Sequence, residues 1–145
     1  YLGEHPEEKK ILDVGCGSGI LSICGALLGS REILGIEIDE DAVRVAHENV
    51  EENHVEGAVK VMQGDLTKGV DFKADVIVAN LMADLVMLLS EDARKHLTED
   101  GIFISSGILV EKEEMVSAAL REAGFRIVEI AEDGEWCAIA AVPEV

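Results

Sequence analysis

Asp13, Gly15, Gly17 and Gly19 fall at every second position of the run Asp13-Val14-Gly15-Cys16-Gly17-Ser18-Gly19. Glycine lets a backbone turn sharply and lets a ligand approach where a Cβ would block it. The apolar, helix-like run Ile20 to Leu28 follows. The first amides of such a helix point into the same space and leave it electropositive. Asp13 ends the preceding apolar strand and places a carboxylate beside that gap. Together these groups suit a ligand carrying both a cationic amine and a carboxylate. The plainer alternative is a tight strand-to-helix turn that binds nothing. The dinucleotide fingerprint G-x-G-x-x-G competes, but after Gly15 and Gly17 its third glycine falls on Ile20, which disfavours a nicotinamide oxidoreductase.

Three further polar residues follow apolar runs. Glu37 lies about 20 residues beyond the glycine loop, where an acidic side chain meets a ribose in dinucleotide folds. A carboxylate accepts hydrogen bonds from two vicinal hydroxyls; the plainer alternative is that Glu37 simply caps or solvates the next helix. Asp39 is the fallback for that role and suits a helix cap better. Asp65, after Gly64, can accept from the exocyclic amine of an adenine or simply serve a turn. Asn80 directly follows Val76-Ile77-Val78-Ala79 at the expected start of a helix. Its amide can accept a hydrogen bond from an incoming amine and aim the lone pair of that amine at a methyl group, or it can be an ordinary cap. His5, His47, His54 and His96 show no metal-ligand spacing, and no metal is expected.

The elements that must position these residues alternate. Strands are expected at Lys10–Val14, Ile33–Ile38, Val59–Met62, Ala74–Ala79 and Ile102–Ser105, the last after the turn Glu99-Asp100-Gly101. Helices are expected at Gly19–Leu28, Asp39–Asn53, Leu81–Leu97 and Glu111–Ala123, with Leu85, Leu88 and Leu89 of the third turned to the core. Arg126–Ala131 and Trp136–Val142 close the chain as a hairpin around Glu132-Asp133-Gly134. Right-handed crossovers give an α/β fold, a Rossmann-like doubly wound sheet of seven strands, mostly parallel, with one antiparallel strand in the C-terminal hairpin. Ligands in such sheets bind beyond the carboxyl ends of the strands, where Asp13, Glu37, Asp65 and Asn80 gather.

The chain has 145 residues, enough for one domain over 1–145 with residues 1–9 as a lead-in. A net charge of −18 argues against a nucleic-acid surface and is compatible with a basic protein partner or a small molecule. Cys16, Cys24 and Cys137 are odd in number, lack a C-x-x-C pairing and sit in apolar stretches, so they read as buried free thiols in a reducing compartment. Without a membrane-spanning run or a leader, the expectation is a cytoplasmic protein. The chain starts at Tyr1 rather than Met, which reads as a fragment of a longer protein.

The spacing D-x-G-x-G-x-G resembles motif I of the class I S-adenosylmethionine-dependent methyltransferases, whose loop receives the methionine end of the cofactor. The resemblance narrows with Ile11–Ile20, Gly35-Ile36-Glu37-Ile38-Asp39, Val78-Ala79-Asn80-Leu81-Met82-Ala83, Ser106-Gly107-Ile108-Leu109 and Gly134-Glu135-Trp136 in that order. These look like the catalytic domain of the PrmA-type methyltransferases, which modify the eleventh protein of the large ribosomal subunit. The resemblance implies S-adenosylmethionine as cofactor, S-adenosylhomocysteine as product, and α-amines and lysine ε-amines of a basic ribosomal protein as acceptors. It implies Asp13, Gly15 and Gly17 at the methionine part, Glu37 at the ribose, Asp65 near the adenine and Asn80 at the acceptor amine. Cys16, Gly19, Ile38 and Leu66 complete the cofactor-binding set, to which Asn80 also belongs. The N-terminal recognition domain of that family, and its Gly- and Thr-rich segment before the first strand, have no counterpart in this sequence, and Glu37 stands where Asp is commoner. Trp136 by itself reads as core, with a place near the active-site rim as the alternative.

Methyl transfer from a sulfonium is an in-line displacement that needs alignment more than a protein nucleophile. No Ser, Cys or Lys nucleophile is therefore expected. Two other readings stand beside this one: a small-molecule methyltransferase of the same fold, and a folded cofactor-binding fragment without independent activity. The oligomeric state is open.

Overall fold

Lys10–Val14 is apolar on both faces, a pattern satisfied by a strand covered on both sides. In the computed structural model, which describes residues 3–144, it is β1, near the centre of a seven-stranded sheet. The order is α1 (Ile20–Leu27), β2 (Glu32–Glu37), α2 (Glu40–Glu52), β3 (Val59–Gln63), β4 (Ala74–Asn80), α3 (Ala83–Lys95), β5 (Leu97–Leu109), α4 (Glu113–Glu122), β6 (Phe125–Asp133) and β7 (Trp136–Pro143). The sheet runs β3-β2-β1-β4-β5-β7-β6, with β7 antiparallel to both neighbours and the other pairs parallel. The expected doubly wound sheet with one reversed strand is what forms.

The chain winds outward from β1 through β2 to β3, then returns to β4 on the other side of β1. β1 and β4 are thus the switch point, with Asp13 opposite Val78 and Val14 opposite Ala79. Ile11, Ile33, Val59 and Val61 pack with Ile23 of α1 and with Ala46 and Val50 of α2. Leu12, Val14, Ile36 and Ile77 belong to the second core, with Leu89 of α3 and Leu120 of α4. Phe103 and Phe125 meet there at 5.6 Å between ring centroids, a tilted pair.

Several boundaries differ from expectation for physical reasons. β5 begins at Leu97, not Ile102, because residues 98–101 bulge within the β4 ladder, whose register jumps from Ala74↔Leu97 to Val76↔Ile102. Asp75 secures that bulge by accepting from Thr98 Oγ1 at 3.2 Å and from the Lys10 N–H at 2.9 Å. Beyond Ser105, β5 continues to Leu109, which pairs with Trp136. The hairpin tip is Gly134-Glu135, one step later than expected, because Asp133 still pairs with Trp136.

α3 starts at Ala83, so Asn80 ends a strand and pairs with Ser106 rather than capping a helix. Of the expected inward leucines only Leu89 is buried. Leu85 is exposed and Leu88 is 67% exposed, because the core-facing stripe is Val86, Leu89, Ser90 and Ala93. The buried Ser90 hydroxyl donates to the Val86 carbonyl at 2.9 Å. All three cysteines are free, but Cys24 is exposed, which overturns the expectation of three buried thiols. α1 turns Ser22, Ile23 and Gly25 inward and leaves Cys24 on the opposite stripe. Among the described residues no helix is long and apolar enough to cross a membrane. Tyr1 and Leu2 of the lead-in lie outside the described residues.

Candidate functional site

The glycine loop is built by backbone hydrogen bonds. The N–H groups of Gly15 and Cys16 both donate to the Ile36 carbonyl, at 2.8 and 3.0 Å, tying the loop to the end of β2. Gly15, Gly17 and Gly19 all have positive φ (74°, 56° and 85°), a conformation that L side chains rarely adopt. At Gly15 a Cβ would also lie 2.5 Å from Leu81 Cδ2, so that side chain would have to shift to admit one. Gly19 caps α1 without any side-chain hydrogen bond, so the first-turn N–H groups keep their capacity toward a ligand. On the far side, Asn49 of α2 donates from Nδ2 to the Ser18 carbonyl at 2.9 Å, a tether the sequence does not announce.

Glu37 joins loop and sheet. Its Oε1 accepts from the Gly17 N–H and its Oε2 from the Asp39 N–H, each at 2.9 Å. Each oxygen retains a second lone pair, so the carboxylate can still accept from hydroxyl groups. Asp39 is the N-cap of α2, accepting from the Asp41 N–H at 3.0 Å. Asp13 stands behind the loop, 1% exposed, with Ser22 Oγ donating to its Oδ2 at 2.7 Å. Burial pushes its carboxyl up to about 6, the Ser22 hydrogen bonds oppose that shift, and the charge of Glu37 adds to it. Cys16 packs against Gly35, and burial, with Asp13 and Glu37 nearby, drives its thiol up to about 12. A thiol so held is inert near neutrality.

A cavity of about 210 Å³ opens at the switch point, lined by Gly15, Glu37, Ile38, Asp65, Leu66 and Asn80. Six expected site residues therefore share one wall. Asp13, Cys16, Gly17 and Gly19 support the loop around that cavity and do not line it. Ile36, Gly64, Leu81 and Leu85 line it as well and were not expected to. For Leu85 the signal was its helical spacing, read as core. Asp65 is exposed and its Oδ2 is 2.9 Å from Lys68 Nζ, while the next residue, Leu66, holds φ at +53°.

Asn80 is exposed at the end of β4. Its side chain makes no hydrogen bond among the described residues. Gly107 backs it: at φ +75°, a Cβ there would run into Asn80 Oδ1. Beyond Gly107 lies a second cavity, of about 480 Å³, lined by Met82, Met87, Leu109, Met115 and Trp136. Trp136 is 52% exposed on this wall, so the core reading fails. The reason is register: Trp136 pairs with Leu109 at the very end of β5. Among the described residues, His5, Glu7 and Glu8 form a group spaced to hold a metal ion, exposed on the lead-in and outside both cavities.

An open backbone cradle fits an elongated ligand: the position of a Cβ on Gly17 has nothing within 4 Å, and the Glu37 carboxylate lies at its edge. The comparisons with known proteins agree with that geometry. Residues 3–144 match the family model "Ribosomal protein L11 methyltransferase (PrmA)". The ribosomal protein L11 methyltransferase of Alkaliphilus oremlandii is 44% identical over 135 residues, 93% of this chain and 43% of the relative. That of Clostridium botulinum (strain Eklund 17B / Type B) is 43% identical over 138 residues, 95% of this chain and 43% of the relative. The crystal structure of a ribosomal protein L11 methylase from Lactobacillus delbrueckii subsp. bulgaricus superposes with a TM-score of 0.91 at 33% identity, covering 94% of this chain and 71% of that one. The chain thus spans less than half the length of these curated relatives. It belongs to the PrmA family of ribosomal protein L11 methyltransferases.

Proposed function

We propose that this chain is an S-adenosylmethionine-dependent N-methyltransferase domain whose acceptors are amines, the α-amine or lysine ε-amines, of a basic large-subunit ribosomal protein in the cytoplasm. The observation that carries the reading is Asn80, an exposed and unengaged amide at the switch point, on the wall of the glycine-loop cavity. Membership of the family supports it from the sequence side.

When bound, the cofactor supplies a methyl group on a positively charged sulfur, already activated for displacement. The residues of the chain do the rest by binding and orientation. The Glu37 carboxylate accepts from the ribose hydroxyls while holding Gly17 and Asp39 in place. Asp65, with Leu66 and Ile38, meets the adenine. The N–H groups at the start of α1 would hold the methionine carboxylate, and Asp13 beneath them would supply negative charge toward its amine. Asn80 Oδ1 accepts an N–H of the incoming neutral amine and turns its lone pair toward the methyl group. With the amine so held, methyl transfer would exchange the carbon–sulfur bond for a nitrogen–carbon bond, the sulfur leaving as a neutral thioether and the nitrogen giving up a proton to solvent.

The test is calorimetric titration with S-adenosylmethionine and with NAD, repeated on Glu37→Ala. Saturable binding of S-adenosylmethionine alone, weakened by the substitution, is the expected result. Binding of NAD alone would sink the reading. Methylation of the ribosomal protein by this chain, with and without the additional region of its longer relatives, then separates an active domain from a fragment that only binds cofactor.

A further inference from the structure

The cavity beyond Gly107 is more than twice as large as the one at the glycine loop, about 480 against 210 Å³, and chemically unlike it. Its walls carry Met82, Met87, Met115, Leu109 and Trp136, and three of these stay at least half exposed: Met82, Met115 and Trp136. Methionine and tryptophan held at a surface are adaptable, high-yield contacts for an apolar side chain. A patch of this kind, unpaired in a chain of net charge −18, is an interaction site by its chemistry. It also adjoins the reaction centre, because Gly107 forms part of the groove and backs Asn80.

Charge says what the groove takes. On its own wall Asp84 and Lys112 balance, so the charge comes from beside it. Next to it, a smaller cavity of about 200 Å³ shares Leu109 and is lined by Glu111 and Glu135. The hydrogen bond from the Val110 N–H to the Glu135 carbonyl, 2.8 Å, fixes the two acidic segments side by side. An apolar slot thus runs into a carboxylate-lined one. A nucleic acid or an anionic membrane is repelled by this rim, and a second copy would bring another −18 against it.

We propose that this groove binds a cationic segment of the acceptor protein. One apolar side chain seats among Met82, Met115 and Trp136, and a neighbouring Lys or Arg meets Glu111 and Glu135. The inference rests on the methyl-transfer reading above and adds to it the chemistry surrounding the acceptor amine. The groove then selects acceptor amines that lie beside an apolar residue in a basic stretch.

Trp136 is the single tryptophan of the chain, so its emission reports on this wall alone. The probe is a short acetylated peptide with one Leu flanked by lysines, together with its Leu→Ser form and a form with Glu in place of every Lys. The basic Leu peptide is expected to shift the emission to the blue, saturably and less tightly as salt rises. The Leu→Ser peptide should bind about tenfold more weakly or worse, the loss expected for one buried Leu. Met115→Ser should weaken the Leu peptide several-fold, and Glu111→Gln with Glu135→Gln should remove most of the salt dependence. Equal binding of the Leu and Ser forms, an equal shift with the acidic peptide, or no shift at all overturns the proposal. A shift that grows with protein concentration alone assigns the face to a second copy and also overturns it. Titration of the same samples with S-adenosylmethionine keeps the two readings apart. Cofactor binding without a peptide response fails the groove alone, whereas a peptide response without cofactor binding fails the methyl-transfer reading alone.

Discussion

The two cavities flanking Asn80 and Gly107 are made in opposite ways. The one at the glycine loop is braced by backbone behind its lining: positive-φ glycines, N–H groups donated to the Ile36 carbonyl, and a carboxylate that accepts two more. The one beyond Gly107 is built from side chains brought in by α3, β5, α4 and β7. A backbone-built pocket is rigid and repeats one geometry, which suits a cofactor of fixed shape. A wall of methionines and a tryptophan repacks, which suits an acceptor whose sequence varies. The difference also predicts where the molecule tolerates change. The first cavity should be intolerant and titratable, the second tolerant and steered by salt.

The largest expected effect lies beneath the loop. The Asp13 carboxyl is raised from the ordinary 3.8 to about 6, chiefly by burial. The folded state therefore holds this proton over a range where the unfolded chain has lost it. The group contributes stability that is complete below pH 3.8 and lost as pH rises through about 6. A shift of this size corresponds to a swing on the order of 3 kcal/mol. Asp13→Asn removes the titration while leaving an oxygen for the Ser22 hydroxyl. Urea midpoints of both proteins across that range check it: the variant should gain on the parent as pH rises. A constant difference would mean that the buried carboxyl does not titrate with folding, and would remove the electrostatic half of the contrast.

Next comes the wall that both cavities share. Gly107→Ala would push a Cβ into Asn80 Oδ1 at a φ of +75°, so Asn80 must turn away. Misplacement of a group that aligns the reaction costs roughly 100-fold in rate. Affinity for S-adenosylmethionine should change far less, because Gly107 lines only the other cavity. Methylation rate and calorimetry, measured on the same variant, separate the two. An unaltered rate would take Asn80 out of the mechanism.

Glu37→Ala, third in size, strips acceptors from Gly17 and Asp39 and should weaken the cofactor about tenfold, the scale of one charged hydrogen bond. Glu37→Asp shortens the reach but keeps the charge, so partial recovery in the same titration separates a carboxylate role from mere bulk. If Ala and Asp bind alike, the diol grip is wrong.

The same contrast explains what could be read before any coordinates. Gly15, Glu37, Asp65 and Asn80 announced themselves because strand ends of a parallel sheet are set by local pattern, and topology then gathers them on one rim. Local pattern failed where position depends on distant partners. Leu85 has the spacing of a core residue, yet it lines the glycine-loop cavity, since the inward stripe of α3 is rotated to Val86 and Leu89. Cys24 sits in an apolar helix, but the face it occupies has no partner in the fold. Trp136 carries the composition of a core residue, and only its pairing with Leu109, fixed by the bulge between Ser105 and Ile108, puts it on an exposed wall. Asn49 and Gly107 are invisible alone, because each matters through one contact with a residue far away in the chain.

The smallest expected effect tests whether the second cavity is a surface at all. Met115 is 51% exposed on α4, while its neighbour Val116 is buried in the core. If the groove is an open wall, Met115→Ser forfeits little burial, and the urea midpoint should correspond to a change within about 0.5 kcal/mol. If the groove instead closes over its own methionines in solution, the side chain is effectively core and its loss costs about 2 kcal/mol or more. A small change paired with weaker binding of the leucine peptide keeps the cavity available for an acceptor. A large one would make it a packing defect of the chain rather than a site, and the contrast with the glycine loop would reduce to one pocket and one imperfectly filled core.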